Sequence, residues 1–494
     1  MTDNTKVSSS SSSTPWWYGP TAMLGVLFSA IAYRLLRREP VSDSRADPFF
    51  QLDLHATVPT DKTNTSITVH PSECFSETYQ EARERFRMAA KAAGAELHTI
   101  PIVTTGSEEY TTDIAIIRGG LSGLVVHSSG VHGVEGYAGS AIQIAWLRHV
   151  ATTTTTTKIT TTTRSFPTIV LVHAINPYGM AHYHRTNENN VDLNRNALFP
   201  HQWQEEALQR DPNLAHYQDF VDFFNPYNSD TNRGHGFVLD AIPKLWRHGF
   251  TKLKTAMVTG QYHDPRGIFF GGQELEASWR KLSDFLNDVV LAEWKDEAEN
   301  QGNDEKKKND EEATRADESI DPNDKLSTAA KRTSGTPIVT WVDVHTGLGR
   351  YGDDTILCGK SQTWWTPQKL ATAFPGSTVP GVDADGDNVN NGYQHIIGDG
   401  ISFLRSMLVS ETDSKDNENV LLVVQEFGTV SGFMAARSLV MENTIRQHTP
   451  ERTGYGQELM KQAFYIQKPS WRKKILSRGI KVLDQAIVRS SGML

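Results

Sequence analysis

The sequence predicts an α/β fold, a sandwich of helices around a largely parallel sheet. Short apolar runs that start at Ile169, Ile338 and Val420 are typical of buried strands. Segments with apolar residues at helical spacing, 76–93 and 138–150 among them, alternate with such runs along the chain. This alternation is the pattern of an α/β protein.

Residues 76–93 open the folded part with an amphipathic helix, in which Tyr79, Ala82 and Phe86 share one face. Two β-rich runs follow at 111–118 and 121–127. Because Gly119 and Gly120 join them directly, these runs predict a hairpin.

Two low-complexity inserts fall between predicted elements, where insertions are tolerated. Residues 151–163 are almost pure threonine and predict a surface loop. Residues 296–333 are dense in Lys, Asp, Glu and Asn, and predict disorder. Near the end of the chain, Leu476 and Ile480 begin an apolar stripe. It predicts a helix docked on the core, with a helix at a membrane surface as the alternative.

The N-terminal region predicts a membrane anchor. Residues 1–15 are Ser-rich and polar, which predicts disorder. Residues 16–38 comprise an apolar stretch followed by arginines, as expected of a single-pass anchor with the main body on the cytoplasmic side. A cleaved signal peptide for the secretory pathway is the alternative, supported by the Ala-Ile-Ala at 30–32. Residues 41–66 have the composition of a linker.

Composition narrows the function. With 494 residues, of which 38% are hydrophobic and 22% charged, the chain can bury a sizeable core. A formal net charge of -9 argues against a nucleic-acid partner bound through a basic face. The only two cysteines, Cys74 and Cys358, cannot form a disulfide framework or a Cys-x-x-Cys site. Any metal site must therefore use His, Asp and Glu.

Residues suited to a metal site occur at three places. His132 and Glu135 lie three apart in a Gly-rich turn after an apolar strand. Catalytic zinc takes three nitrogen or oxygen ligands and leaves a fourth position for water. His345 follows a second apolar strand and could be the third ligand. Glu426 follows a third strand, where an unpaired carboxylate is costly to bury but is useful as a general base.

The stretch 169–196 carries dense polar side chains after a buried strand and an Asn-Pro-Tyr-Gly turn. This stretch contains the motifs NPYG and RTNENNVDLNRN. With HGVEG before them and DVHTG and QEFG after them, they occur in an order that resembles the zinc carboxypeptidase superfamily. SGVHGVEGYAGSAIQ, GQYHDPRGIFFGG and VDVHTGLGRYGDD resemble a branch of it known as a domain of unknown function. The resemblance covers residues 68–492 apart from the inserts. It implies a catalytic domain with a three-layer α/β/α sandwich around a mixed, largely parallel sheet.

The resemblance also implies a role for each motif residue. His132, Glu135 and His345 would hold one zinc ion, and Glu426 would be the base that takes a proton from water. Arg185 would stabilise the oxyanion.

The substrate-facing residues follow from the same resemblance. Asn194 and Arg195 would hold a terminal carboxylate, and Asp192 would orient His132. Tyr393 is the nearest candidate for the mobile-loop tyrosine of carboxypeptidases.

These roles predict a zinc-dependent hydrolase acting on a C-terminal peptide bond or a related amide. One alternative is a deacylase of N-acyl amino acids, of the aspartoacylase or desuccinylase kind, on the same metal site. The other is a non-catalytic binding protein that kept the fold.

Overall fold

The computed structural model describes residues 70–119, 121–156, 166–227, 233–292, 338–383, 395–409 and 416–492. The predicted segments 1–15, 16–38, 41–66 and 296–333 lie outside these ranges, and so does Tyr393. Within the described ranges, no helix has the length and hydropathy needed to cross a membrane.

A mixed sheet of seven strands forms the centre of the described part, in the order β1-β2-β4-β3-β5-β7-β6. The central strands β4, β3, β5 and β7 are parallel, and the remaining pairs are antiparallel. The predicted α/β class and the mixed sheet are confirmed. The strands are β1 (Glu96–Thr105), β2 (Glu108–Ile117), β3 (Leu121–Ser129), β4 (Pro167–His173), β5 (Val339–Tyr351), β6 (Asp354–Cys358) and β7 (Val420–Gly428).

The predicted hairpin between 111–118 and 121–127 is wrong. Strand β4 lies between β2 and β3, so these two neighbours in sequence do not pair. The hairpin partner of β2 is instead β1, which the sequence analysis missed. Strand β1 carries a proline and is largely exposed, so its apolar signal is weak.

Helices occupy most of the remaining described chain. The longer ones are α1 (Tyr79–Ala92), α2 (Gly136–Thr156), α3 (Pro177–His182), α4 (Arg233–Val258), α5 (Ala277–Phe285), α6 (Pro367–Ala373), α7 (Gly400–Leu408), α8 (Gly432–His448), α9 (Thr453–Phe464) and α10 (Pro469–Ser490). The start of the threonine run continues helix α2 instead of forming a loop. The Thr152 hydroxyl bonds the carbonyls of Arg148 and His149, which is how threonine is accommodated in a helix.

Both faces of the central strands are buried. Val126, Trp341 and Leu422 belong to a core cluster with residues of α5 and α7, and the alternating residues Val125 and Val342 are equally buried. The C-terminal helix α10 is docked as predicted, with Leu476, Ile480, Leu483 and Ile487 buried.

The carboxyl ends of the four parallel strands lie at one edge of the sheet, where α/β folds place their sites. His132 and Glu135 follow β3, and the stretch ending at Asn196 follows β4. His345 and Glu426 lie within β5 and β7, because both strands continue beyond their predicted ends.

Candidate active site

Three side chains that were predicted to bind a metal meet at one buried point. His132 Nδ1 lies 3.0 Å from Glu135 Oε1. His345 Nδ1 lies 3.2 Å from His132 Nδ1 and 3.2 Å from Glu135 Oε2. Two ligands about 2.0–2.2 Å from one tetrahedral zinc ion are roughly 3.3–3.5 Å apart, close to these separations. The group could therefore hold a metal ion.

The outer nitrogen of each histidine contacts a buried carboxylate. His132 Nε2 lies 3.2 Å from Asp192 Oδ1, and His345 Nε2 lies 2.8 Å from Asp343 Oδ2. Such carboxylates fix the tautomer and the ring orientation of a metal-binding histidine. As a result, both Nδ1 atoms are presented to the common point. The sequence analysis had suggested Asp192 but missed Asp343.

The carboxylates of this cluster favour their ionised form. Burial alone would raise the pKa of Glu135, but His132 and His345 hold it below its usual range. Burial likewise opposes ionisation of Asp192, yet Arg185 and His132 hold its pKa well below the usual value. Metal ligands must be deprotonated, and the carboxylate of Glu135 meets that condition.

The loop that carries the first two ligands, 130–136, is fixed against helix α3 and the residues after it. The backbone N–H of Val134 donates to the carbonyl of His184 at 2.9 Å. A Cβ at Gly133 would lie 2.0 Å from the carbonyl carbon of Gly179. Only glycine permits this close approach, so the HGVEG and NPYG motifs are packed against each other.

Glu426 lines the same cleft as the three candidate ligands. It pairs in register with His345 on the neighbouring parallel strand, so both side chains project from the same face of the sheet. Its Oε1 accepts the Leu348 N–H at 2.9 Å. Burial raises the pKa of Glu426 to about 7, and the charge of Glu135 adds to the shift.

Arg185 links the cluster to the open cleft. Its Nε donates to Asp192 Oδ2 at 2.9 Å, and its NH1 lies 3.6 Å from Glu135 Oε1. The guanidinium lies over the Phe269 ring, 4.7 Å from the centroid. Phe269 also lines the cleft, and its φ of 54° is uncommon for a bulky residue.

Asn194 and Arg195 line the cleft and also brace the local fold. Asn194 Oδ1 accepts the Gly400 N–H at 3.0 Å. Arg195 donates from Nε and NH2 to the Val258 carbonyl at 2.9 and 2.5 Å, and from NH1 to the Asn194 carbonyl at 2.6 Å. These bonds tie the stretch after β4 to the end of helix α4.

A cavity of about 650 Å³ opens over the cluster. Helix α4 forms much of its wall, although the sequence analysis had assigned nothing to this segment. The spacing of Phe237, Ala241 and Leu245 was a helical signal that could have identified it. Lys254 of the same helix also lines the cavity, and burial lowers its pKa to about 8, partly offset by Glu426.

The fold and the site define an α/β protein with a buried His-Glu-His group that could hold a metal ion. Residues 75–297 and 322–478 match the family described as "Protein of unknown function (DUF2817)". The match spans more than half of the chain, which therefore belongs to this family. The residues between the two matched segments fall inside the predicted insert 296–333. The match confirms the predicted resemblance to a branch known as a domain of unknown function.

The solved structures that match this chain are distant in sequence. A metallo-carboxypeptidase from Burkholderia cenocepacia is 11% identical, with 88% of this chain and 78% of that chain covered and a TM-score of 0.36. A candidate metallopeptidase from Shewanella amazonensis SB2B is 12% identical, with 75% and 93% covered and a TM-score of 0.30. A candidate succinylglutamate desuccinylase/aspartoacylase family protein from the same organism is 13% identical, with 72% of each chain covered and a TM-score of 0.23. No curated protein matched the sequence. Function must accordingly be argued from the site itself.

Proposed function

We propose that the protein is a zinc-dependent hydrolase that cleaves a C-terminal peptide bond or a related amide bond. The observation that carries this proposal is the convergence of His132, Glu135 and His345 in a cleft that Glu426 also lines. Two imidazoles and one carboxylate are a donor set that zinc prefers, with a position left for water. Bound zinc would supply Lewis-acid activation of water and of the amide carbonyl.

The residues of the chain then have distinct tasks. Glu426 accepts a proton from the attacking water and returns it to the leaving nitrogen as the C–N bond breaks, which gives a carboxylic acid and an amine. Arg185, which lines the cleft, stabilises the negative charge that develops on the carbonyl oxygen. Asp192 contacts both His132 and Arg185, so it holds a ligand and the oxyanion residue in one arrangement.

Recognition of the substrate carboxylate falls to Asn194 and Arg195, whose amide and guanidinium groups suit that task. The cleft also favours a second candidate, a deacylase of N-acyl amino acids that uses the same metal site. The supporting observation is that much of the cavity wall is apolar. Such a wall offers few hydrogen-bond partners to the N–H and C=O groups of a longer peptide.

The test combines metal analysis with substrate choice. The purified full-length protein should contain one zinc ion per chain by inductively coupled plasma mass spectrometry. It should release amine from peptides with a free C-terminus or from N-acyl amino acids, and not from C-terminally amidated peptides. Absence of zinc, or no turnover of any of these substrates, contradicts the hydrolase. Equal turnover of free and amidated peptides contradicts recognition of a carboxylate.

A further inference from the structure

One wall of the candidate cleft is apolar and comes largely from a single helix. Among the residues that line the cavity, helix α4 contributes Phe237, Leu245, Phe250, Leu253 and Met257. Phe250 is 50% exposed, so the apolar surface continues to the mouth of the cavity. The metal cluster and Arg185 line the same cavity.

Lys254 lies near the end of helix α4, whereas apolar side chains line the cavity along this helix from Phe237 to Met257. Val258, at its end, accepts hydrogen bonds from Arg195, and Lys254 lies one turn earlier. Leu245 lies a further two to three turns back. Between Leu245 and Val258 the helix rises by up to about 20 Å, and by less where it bends at Gly249. That bend is marked by the non-helical φ of 78° at Gly249.

We propose that the substrate of this cleft is an amphiphilic amide, an amino acid whose nitrogen carries a long hydrocarbon acyl chain. This inference rests on the proposed amide hydrolysis and names its substrate class. The carboxylate of the amino acid lies toward Arg195 and Lys254. The acyl chain lies along the apolar side chains of helix α4, with Leu245 near its far end.

Other amides fit this cleft less well than an amino acid with a long acyl chain. A short acyl group, such as acetyl or succinyl, leaves most of the apolar wall in contact with water. A peptide extended along the same wall places N–H and C=O groups where few hydrogen-bond partners exist. Each group left without a hydrogen bond costs free energy of binding. The cavity volume of about 650 Å³ also lies in the range that encloses a drug-sized ligand rather than one side chain. A long acyl chain covers the apolar wall, adds no polar groups that need partners, and has a size suited to the cavity.

The test is a chain-length series with the zinc-loaded full-length protein. The substrates are N-acetyl-, N-octanoyl- and N-dodecanoyl-alanine, used below their critical micelle concentrations. We expect kcat/KM to rise at least about tenfold from acetyl to dodecanoyl, since methylenes in an apolar pocket discriminate by such factors. A flat or falling series overturns the inference, and turnover of the acetyl substrate in that case leaves the proposed hydrolase standing.

Two variants of Leu245 test whether the acyl chain lies along helix α4. Leu245→Ser should lower the ratio of kcat/KM for the dodecanoyl substrate to kcat/KM for the acetyl substrate about tenfold. Leu239→Ser is the matched control, because Leu239 lies on the same helix but is 67% exposed. Leu245→Trp narrows the cavity and should move the preferred chain length toward octanoyl. If both Leu245 variants keep the wild-type chain-length profile, the acyl chain does not lie along this helix.

Binding without turnover separates this inference from the proposed function. Isothermal titration of the Glu426→Gln protein should give at least about tenfold tighter binding for N-dodecanoyl-alanine than for N-acetyl-alanine. If Glu426→Gln shows this chain-length dependence and the zinc-loaded wild type hydrolyses neither compound, the inference about the ligand stands and the proposed hydrolase does not. Equal binding of the two compounds removes the inference.

Discussion

Replacement of Asp343 by asparagine should weaken zinc binding without removing a ligand. Asp343 Oδ2 contacts His345 Nε2 at 2.8 Å, and its Oδ1 accepts the Ser128 hydroxyl at 2.7 Å. Ser128 in turn accepts the Trp341 indole N–H at 2.7 Å. Because the indole can only donate, the hydroxyl proton of Ser128 points at Asp343. Both carboxylate oxygens are thus acceptors.

The size of the effect follows from this arrangement. An asparagine has one acceptor oxygen and one NH2 donor, so it can replace only one of the two charge-assisted bonds. If the NH2 faces His345, two donors meet and the imidazole loses its orientation. If it faces Ser128, the bond to His345 remains but loses the negative charge. Loss of such a partner typically costs 10–100-fold in metal affinity, or about 1.4–2.7 kcal/mol.

Zinc affinity is measured by competition with a chromophoric chelator at fixed pH. Asp353→Asn is the control, since Asp353 is an exposed carboxylate paired with Lys474 outside the cluster. We expect Asp343→Asn to bind zinc 10–100-fold more weakly, and the control to bind it like the wild type. Wild-type zinc affinity in Asp343→Asn, with the fold intact by circular dichroism, would refute the orienting role of this carboxylate.

Three further predictions concern the base, a ligand and a partly buried acid. Glu426→Gln should retain zinc and lose about 10²–10⁴-fold in kcat, whereas full activity would identify a different base. His345→Ala should lose both zinc and turnover, and wild-type zinc content in this variant would exclude His345 as a ligand. Burial raises the pKa of Asp484 from 3.8 to about 7, an effect partly offset by the Trp146 side chain. The folded state therefore holds its proton more tightly than the unfolded state, and stability should fall as pH rises from about 4 to 7. Asp484→Asn should remove this fall in stability. At pH 8 its free energy of unfolding should exceed that of the wild type by up to about 4 kcal/mol, and by less if water reaches the carboxyl group. If urea denaturation gives wild type and Asp484→Asn the same dependence of stability on pH, the raised pKa of Asp484 is not the cause.

The residues at the strand ends could be found in the sequence because their signals are local. His132 and Glu135 are three apart in a Gly-rich turn, and His345 and Glu426 each follow an uninterrupted apolar run. Parallel strands bring their carboxyl ends to one edge, so four runs in the chain suffice to place these residues together. Asp343 could have been added by the same reasoning, since residues two apart on a strand project from the same face.

Strand pairing could not be obtained in this way. The two runs around Gly119 and Gly120 have the local chemistry of a hairpin, yet β4 pairs with both of them. Whether β2 and β3 pair with each other or each with β4 depends on how the strands are buried on both faces of the sheet. A local sequence pattern holds no information on that burial. Strand β1 was missed for a related reason, because an exposed edge strand has little apolar periodicity.

The wall of helix α4 shows where local patterns fail for function as well. Leu245 and Leu253 repeat at helical spacing, and that pattern is the same whether a helix faces a core or an open cleft. Catalytic residues give a clearer signal than this apolar pattern. A buried His or Glu without a partner costs free energy, so such a residue is conspicuous among apolar neighbours. The sequence therefore identifies candidates for the chemistry before it identifies the substrate. Only the three-dimensional placement of α4, in one cavity with Arg185 and the metal cluster, distinguishes a cleft wall from ordinary core packing.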